Sequence, residues 1–98
     1  MTITKKLNGS ELTVALEGRL DTTTSPSLDA ALEESYNEIM NLVLDFEALD
    51  YISSAGLRVL LAAQKKMSKK GGLVIKNVCP EILEVFEITG FSDILTIE

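Results

Sequence analysis

The chain has no histidine and a single cysteine, Cys79. Without histidine there is no Ser-His-Asp or Cys-His catalysis, no His-based zinc site and no imidazole acid–base group. A lone cysteine forms no intrachain disulfide and no cysteine metal cluster; it reads as a small, buried or partly buried hydrophobe. No run approaches the ~20 apolar residues of a membrane span. Met1-Thr2-Ile3-Thr4-Lys5-Lys6 lacks the apolar stretch of a signal peptide, so a cytoplasmic protein is expected. Basic residues are scarce: Lys and Arg total 9 against 15 Asp and Glu, for a net charge of −6. That balance argues against nucleic acid as the main partner, because such binding rests on basic contacts to phosphates. The phosphate-loop pattern G-x-x-x-x-G-K-[ST] is missing. Carboxylates alone could hold magnesium, but no spacing demands a metal, and no cofactor is implied.

What remains is a chain of 98 residues, 46% hydrophobic, enough for one compact core. A single domain over 1–98 is expected, since no linker, repeat or low-complexity segment divides it. Thr2 to Leu7 reads as a first strand and Asn8-Gly9 as a hairpin turn. Leu12, Val14 and Leu16 alternate with Thr13, Ala15 and Glu17, the period of a half-buried strand. Gly18 allows a bend or a close approach. Arg19 to Thr24 is a polar connection. Ser25-Pro26 reads as N-cap plus helical proline. Leu28, Ala31, Leu32, Tyr36 and Ile39 then form one apolar stripe, predicting a helix that ends near 37–40. Asn41 to Phe46 is the most apolar strand and should lie centrally.

A second helix is predicted from Ser54 or Ala55 to about Lys70, with Leu57, Leu60, Leu61 and Met67 on its core face and Ala63 alongside. Gly71-Gly72 should stop it. Lys65, Lys66, Lys69 and Lys70 at its end read as a solvated face suited to a helix C-terminus. Leu73 to Ile75 is a short buried strand. Pro80 opens a third helix with Ile82, Leu83 and Phe86 inward. Thr89-Gly90 ends it, and Ile94 to Ile97 adds an edge strand. The order ββαβαβαβ predicts an α/β domain, a small mixed sheet with helices packed against it.

The segment Asp50-Tyr51-Ile52-Ser53-Ser54-Ala55-Gly56-Leu57-Arg58 carries most of the functional signal. It should place a serine hydroxyl beyond a strand's C-terminal end and at a helix N-terminus. Ligands gather at such places in α/β folds, and negative charge is favoured there. On local sequence alone an ordinary helix N-cap explains the serines better than a modification site, and it is their position in the fold that shifts the balance. Ser54 should sit nearest the free N–H groups, and Ala55 and Gly56 should keep the approach open. Asp21 and Asp45 could join the same surface, although each also reads as a loop-capping carboxylate. Asp50 reads as a turn residue.

With Gly18-Arg19-Leu20-Asp21, Leu42-Val43-Leu44-Asp45-Phe46, Tyr51-Ile52-Ser53-Ser54-Ala55-Gly56-Leu57 and Gly90-Phe91, nearly the whole chain resembles the STAS domain family, the small anti-sigma factor antagonists of bacteria. The switch segment is the specific part of the match. The resemblance implies a non-enzymatic partner switch. The family's phosphoacceptor stands two residues before the glycine, which is Ser54 here. The family often has aspartate where this chain has Ser53, which makes Ser53 the second choice. The implied partners are a serine-kinase anti-sigma factor and a metal-dependent serine phosphatase. The unphosphorylated domain would bind the kinase and free the sigma factor, and phosphorylation would end the association. The docking surface is expected around Asp21, Thr22, Thr23, Thr24, Ser53, Ser54, Ala55, Gly56 and Arg58. The free protein is expected to be a monomer. The alternative reading is a STAS subunit docking on the ATPase of a lipid ABC transporter.

Overall fold

The computed structural model describes residues 1–98. Its elements are β1 (Thr2–Asn8), β2 (Glu11–Leu20), α1 (Ser25–Glu33), a 3-10 turn at Tyr36–Glu38, β3 (Asn41–Ile52), α2 (Ser54–Met67), β4 (Gly72–Lys76), α3 (Pro80–Thr89), a 3-10 turn at Phe91–Asp93, and β5 (Thr96–Ile97). The five strands lie in the spatial order β1-β2-β3-β4-β5. The β1–β2 pair is antiparallel and the others are parallel. This is the mixed α/β layering that the order ββαβαβαβ predicts.

Each parallel crossover steps to the next strand in the same direction. Crossovers of one hand therefore bring all three helices to one face of the sheet. That face carries Leu12, Val14 and Leu16 of β2, Leu42, Leu44 and Phe46 of β3, and Leu73 and Ile75 of β4, all buried in one core with residues of the helices. Thr13, Ala15, Val43, Asp45 and Val74 project to the opposite, partly exposed face.

Several boundaries differ from the expected ones, for identifiable reasons. The hairpin turn is Gly9-Ser10 rather than Asn8-Gly9: Asn8 still pairs with Glu11, and only Gly9 takes a left-handed φ, of 63°. Thr24, not Ser25, stands at the N-cap of α1. Ser25 is the first helical residue, and its buried hydroxyl donates to the Asp21 carbonyl at 2.5 Å. The helix ends at Glu33; Tyr36 and Ile39 reach the core from the 3-10 turn and from just beyond it. In α2, Leu61 is only half-buried and Val59 joins the core instead.

The largest difference is in β3. It runs on to Ile52, so Asp50 is a strand residue and no loop precedes the serines. The pairing with β2 slips twice: Ala15 faces Asp45 but Glu17 faces Ala48, and Gly18 faces Leu49 but Arg19 faces Tyr51. Each slip puts one extra residue into β3, and each bulge shifts which face the next side chain meets. Burial therefore falls on Leu42, Leu44 and Phe46, then on Leu49, then on Ile52. On β2 the alternation continues unbroken through Leu16 to Leu20, with Gly18 at φ 105° beside the second slip.

The lysines at the end of α2 are not all idle. Lys66 pairs with Glu33 at 3.1 Å and lies over the Tyr36 ring. Lys70 donates to the carbonyls of Tyr36 and Ile39, closing the end of the 3-10 turn. Lys65 and Lys69 are exposed, as a solvated face requires.

Candidate functional site

Strands β2 and β3 end side by side, with Leu20 opposite Ile52. The connections leaving these two strands are therefore held at one end of the sheet. Beyond Leu20 comes the Asp21–Thr24 turn, and beyond Ile52 come Ser53 and the start of α2. The Ser53 N–H donates to the Leu20 carbonyl at 2.9 Å and ties the two segments together.

The Asp21 turn is built from its own side chains. One Asp21 carboxylate oxygen accepts the N–H groups of Thr23 and Thr24, both at 3.0 Å. The Thr24 hydroxyl accepts the Asp21 N–H at 2.9 Å and donates to the Arg19 carbonyl at 2.7 Å. These bonds, led by that from the Thr24 N–H, hold the Asp21 carboxyl below its ordinary pKa. The nearby Arg19 guanidinium adds a smaller push in the same direction. Arg19 lies over the Tyr51 ring, 4.1 Å from its centroid. Tyr51 is not among the residues expected at the docking surface. The signal was its position two residues before Ser53, but the bulge that points it outward next to Arg19 is not visible in the sequence.

The two serines have different tasks. Ser53 is the N-cap of α2, in extended conformation, and its hydroxyl accepts the Gly56 N–H at 3.4 Å. Of the two expected starts, Ser54 and Ala55, the helix takes Ser54, which leaves the cap to Ser53. Ser54 is the first helical residue and is exposed, whereas Ser53 is half-buried. With the N–H of Ser53 bound to Leu20, that of Gly56 to the Ser53 hydroxyl and that of Leu57 to the Ser53 carbonyl, the N–H groups of Ser54 and Ala55 are left without a hydrogen-bond partner in the chain.

Gly56 is buried, so it does not keep the approach to the serines open. A Cβ there would lie 2.8 Å from Leu20 Cγ and 2.9 Å from Ile52 Cγ1. Its missing side chain lets α2 settle against the ends of β2 and β3. Arg58 is exposed one turn beyond Ser54. Between the starts of α1 and α2 runs a groove of about 260 Å³, walled by Thr22, Ser25 and Asp29 on one side and Ala55, Arg58 and Val59 on the other.

Asp45 is not part of this surface. It lies mid-strand, roughly 20 Å before the end of β3. There it accepts the N–H of Glu47 and the side-chain amide of Asn77, each at 3.0 Å. The other predicted residues, Asp21 to Thr24, Ser53 to Ala55 and Arg58, gather at the one end, with Gly56 beneath them.

The STAS domain family matches residues 2–98. This chain belongs to the STAS domain family. Among its relatives, BtrV of Bordetella bronchiseptica, provisionally designated an anti-sigma factor antagonist, is 38% identical over 94 residues. That match covers 94% of this STAS domain and 80% of BtrV. The crystal structure of an anti-sigma factor antagonist from Mycobacterium paratuberculosis superposes with a TM-score of 0.89 at 24% identity, covering 98% of this chain and 83% of that one. The Bacillus antagonist SpoIIAA superposes in its unphosphorylated and phosphorylated forms, with TM-scores of 0.79 and 0.78 at 17% identity. Those matches cover 99% of this chain and 87% and 91% of the SpoIIAA chains. The structural likenesses establish a shared fold. STAS domains of this kind are non-catalytic regulatory domains, and this chain is one. No helix of this STAS domain is long and apolar enough to cross a membrane.

Proposed function

We propose that this STAS domain is an anti-sigma factor antagonist switched by phosphorylation of Ser54. The observation that carries the reading is the contrast between its serines: Ser54 is exposed at the first position of α2, while the Ser53 hydroxyl is engaged as the cap. An exposed hydroxyl is accessible to a kinase; one that already accepts a backbone N–H is less so. Ser54 lies between Ser53, which bonds to Leu20, and Ala55, which shares a groove with Thr22, so a phosphate on it would stand within the surface formed by Asp21, Thr22, Thr23, Thr24, Ser53, Ser54, Ala55 and Arg58. A protein of the same fold, SpoIIAA, has been solved in both phosphorylated and unphosphorylated forms, which supports a reversible modification here.

The unphosphorylated domain binds a serine-kinase anti-sigma factor through this surface and frees the sigma factor. The kinase then adds about two negative charges to a domain whose net charge is already −6. Like-charge contact and desolvation at the interface cost several kcal/mol and end the association. A metal-dependent serine phosphatase resets the switch. The chain acts as one cytoplasmic domain over 1–98, monomeric when free.

Incubation with the cognate kinase and ATP, followed by intact-mass analysis and phosphopeptide mapping, tests the assignment. One phosphate on Ser54 is the expected result, and Ser54→Ala should abolish it. Modification on Ser53 overturns the assignment.

A further inference from the structure

We propose that Arg58 is an internal clamp for a phosphate on Ser54: phosphorylation draws the guanidinium back along α2 into an ion pair and removes it from the docking surface. The inference deepens the reading of Ser54 as phosphoacceptor and rests on it. Ser54 and Arg58 are four residues apart on one helix, and both are exposed. Side chains at that spacing share a face, with Cβ atoms about 5–6 Å apart. A long helical side chain leans toward the helix N-terminus, so Arg58 covers the turn that presents Ser54. An anion placed four residues before a cation is also the favourable order along a helix.

The guanidinium is free for this task. Arg58 makes no ion pair, whereas Arg19 lies over Tyr51 and 3.8 Å from Asp21, Lys5 pairs with Glu34, Lys66 with Glu33 and Lys76 with Glu98. The remaining lysines on α2 and just beyond it lie at the opposite end of the helix. The charged groups on the elements around Ser54 are Arg19 and Asp21 at the end of β2, Asp29 on α1 and Asp50 near the end of β3. Asp29, across the groove, is the carboxylate that competes for Arg58, and it lies beyond ion-pair distance. A phosphate presents up to two charges and three acceptor oxygens to a planar fork of donors and outcompetes one carboxylate. Phosphorylation thus changes the surface twice, by adding an anion and by withdrawing an exposed cation.

The test uses the full chain with phosphoserine installed at position 54 during translation, so that no kinase is needed. Phosphorus NMR follows the second ionisation of the phosphate with pH in the otherwise native protein and in Arg58→Ala, Arg58→Lys and Arg19→Ala. The phosphate should titrate lower with Arg58 present than in Arg58→Ala, by about half a pH unit or more. Arg58→Lys should restore part of the shift, and Arg19→Ala should leave it in place. Amide spectra of the same samples report whether each variant is folded. Equal titration with and without Arg58, or a shift that tracks Arg19 instead, overturns the clamp. If the titration is flat while the kinase modifies Ser54, the clamp fails and the phosphoacceptor stands. Mapping of the natural phosphate to Ser53 removes the phosphoacceptor assignment whatever the titration gives.

Discussion

The hydroxyl of Ser53 caps the N–H of Gly56 and leaves the hydroxyl of its neighbour Ser54 without a structural task. The two serines should therefore respond differently to removal. Ser53→Ala is expected to lower stability by about 0.5–1 kcal/mol, the lower part of the N-cap range, because the bond is long. Ser54→Ala should stay within about 0.5 kcal/mol of wild type, as exposed substitutions do. Urea unfolding of the two variants decides: equal losses would mean that the cap is shared.

Ser54→Asp should keep the fold and weaken the kinase. A carboxylate in the first turn of a helix is favourable by about 0.3–1 kcal/mol, so the melting temperature should hold or rise slightly. The loss should then appear in calorimetric titration against the kinase. It should be smaller than that caused by a true phosphate, which carries more charge and more acceptor oxygens. Undiminished affinity would show that charge at this position is not the switch.

Gly56→Ala sets two effects against each other. Alanine favours a helix interior by about 1 kcal/mol over glycine. The added methyl, however, would press on Leu20 and Ile52, both fully packed. Overpacking of that kind costs about 1–3 kcal/mol. The net expectation is a destabilised protein with altered amide shifts at Leu20, Ile52 and Ser53. A stabilised variant with unchanged shifts would mean that α2 can lift away from the strand ends without strain.

Asp21 makes the fold acid-sensitive at this surface. Its carboxyl is held below the ordinary value by the Thr24 and Thr23 N–H groups. A depressed folded pKa contributes stability that is fully present above the unfolded value of about 3.9 and is lost as pH falls through the folded one. Asp21→Asn should therefore unfold at lower urea than wild type at neutral pH, and the gap should close as pH drops below about 4. A gap that stays constant as the pH falls below about 4 would assign the effect to shape rather than to charge.

Much of the architecture was legible because period and punctuation agreed. The alternation of Leu12, Val14 and Leu16, the helix opened by Pro80 and the stop at Gly90, which takes a left-handed φ of 81°, all stand as expected. The second half of β3 was illegible because its two bulges break the period of two, so Leu49 and Ile52 do not continue the pattern of Phe46. That break hid the outward placement of Tyr51, and with it the Arg19 contact. The segment Asp50 to Arg58 pointed to a serine at a helix start, but which serine caps depends on where the strand ends. Asp45 misled for a related reason: its strand continues well past it. Lys70 reads as a solvated cation, because nothing local shows the carbonyls of Tyr36 and Ile39 waiting for it.

Because Ser54 is presented by a helical turn whose preceding residue is bonded into the sheet through Leu20, a kinase that modifies it meets a face and not a segment. A short peptide copied from this stretch has neither the helix nor the neighbouring strand, and is expected to be a poor substrate. By the same requirement a misfolded copy of the chain would neither receive the phosphate nor compete for the partner. On the proposed assignment the switch would count only correctly folded molecules, a form of proofreading that comes from geometry alone.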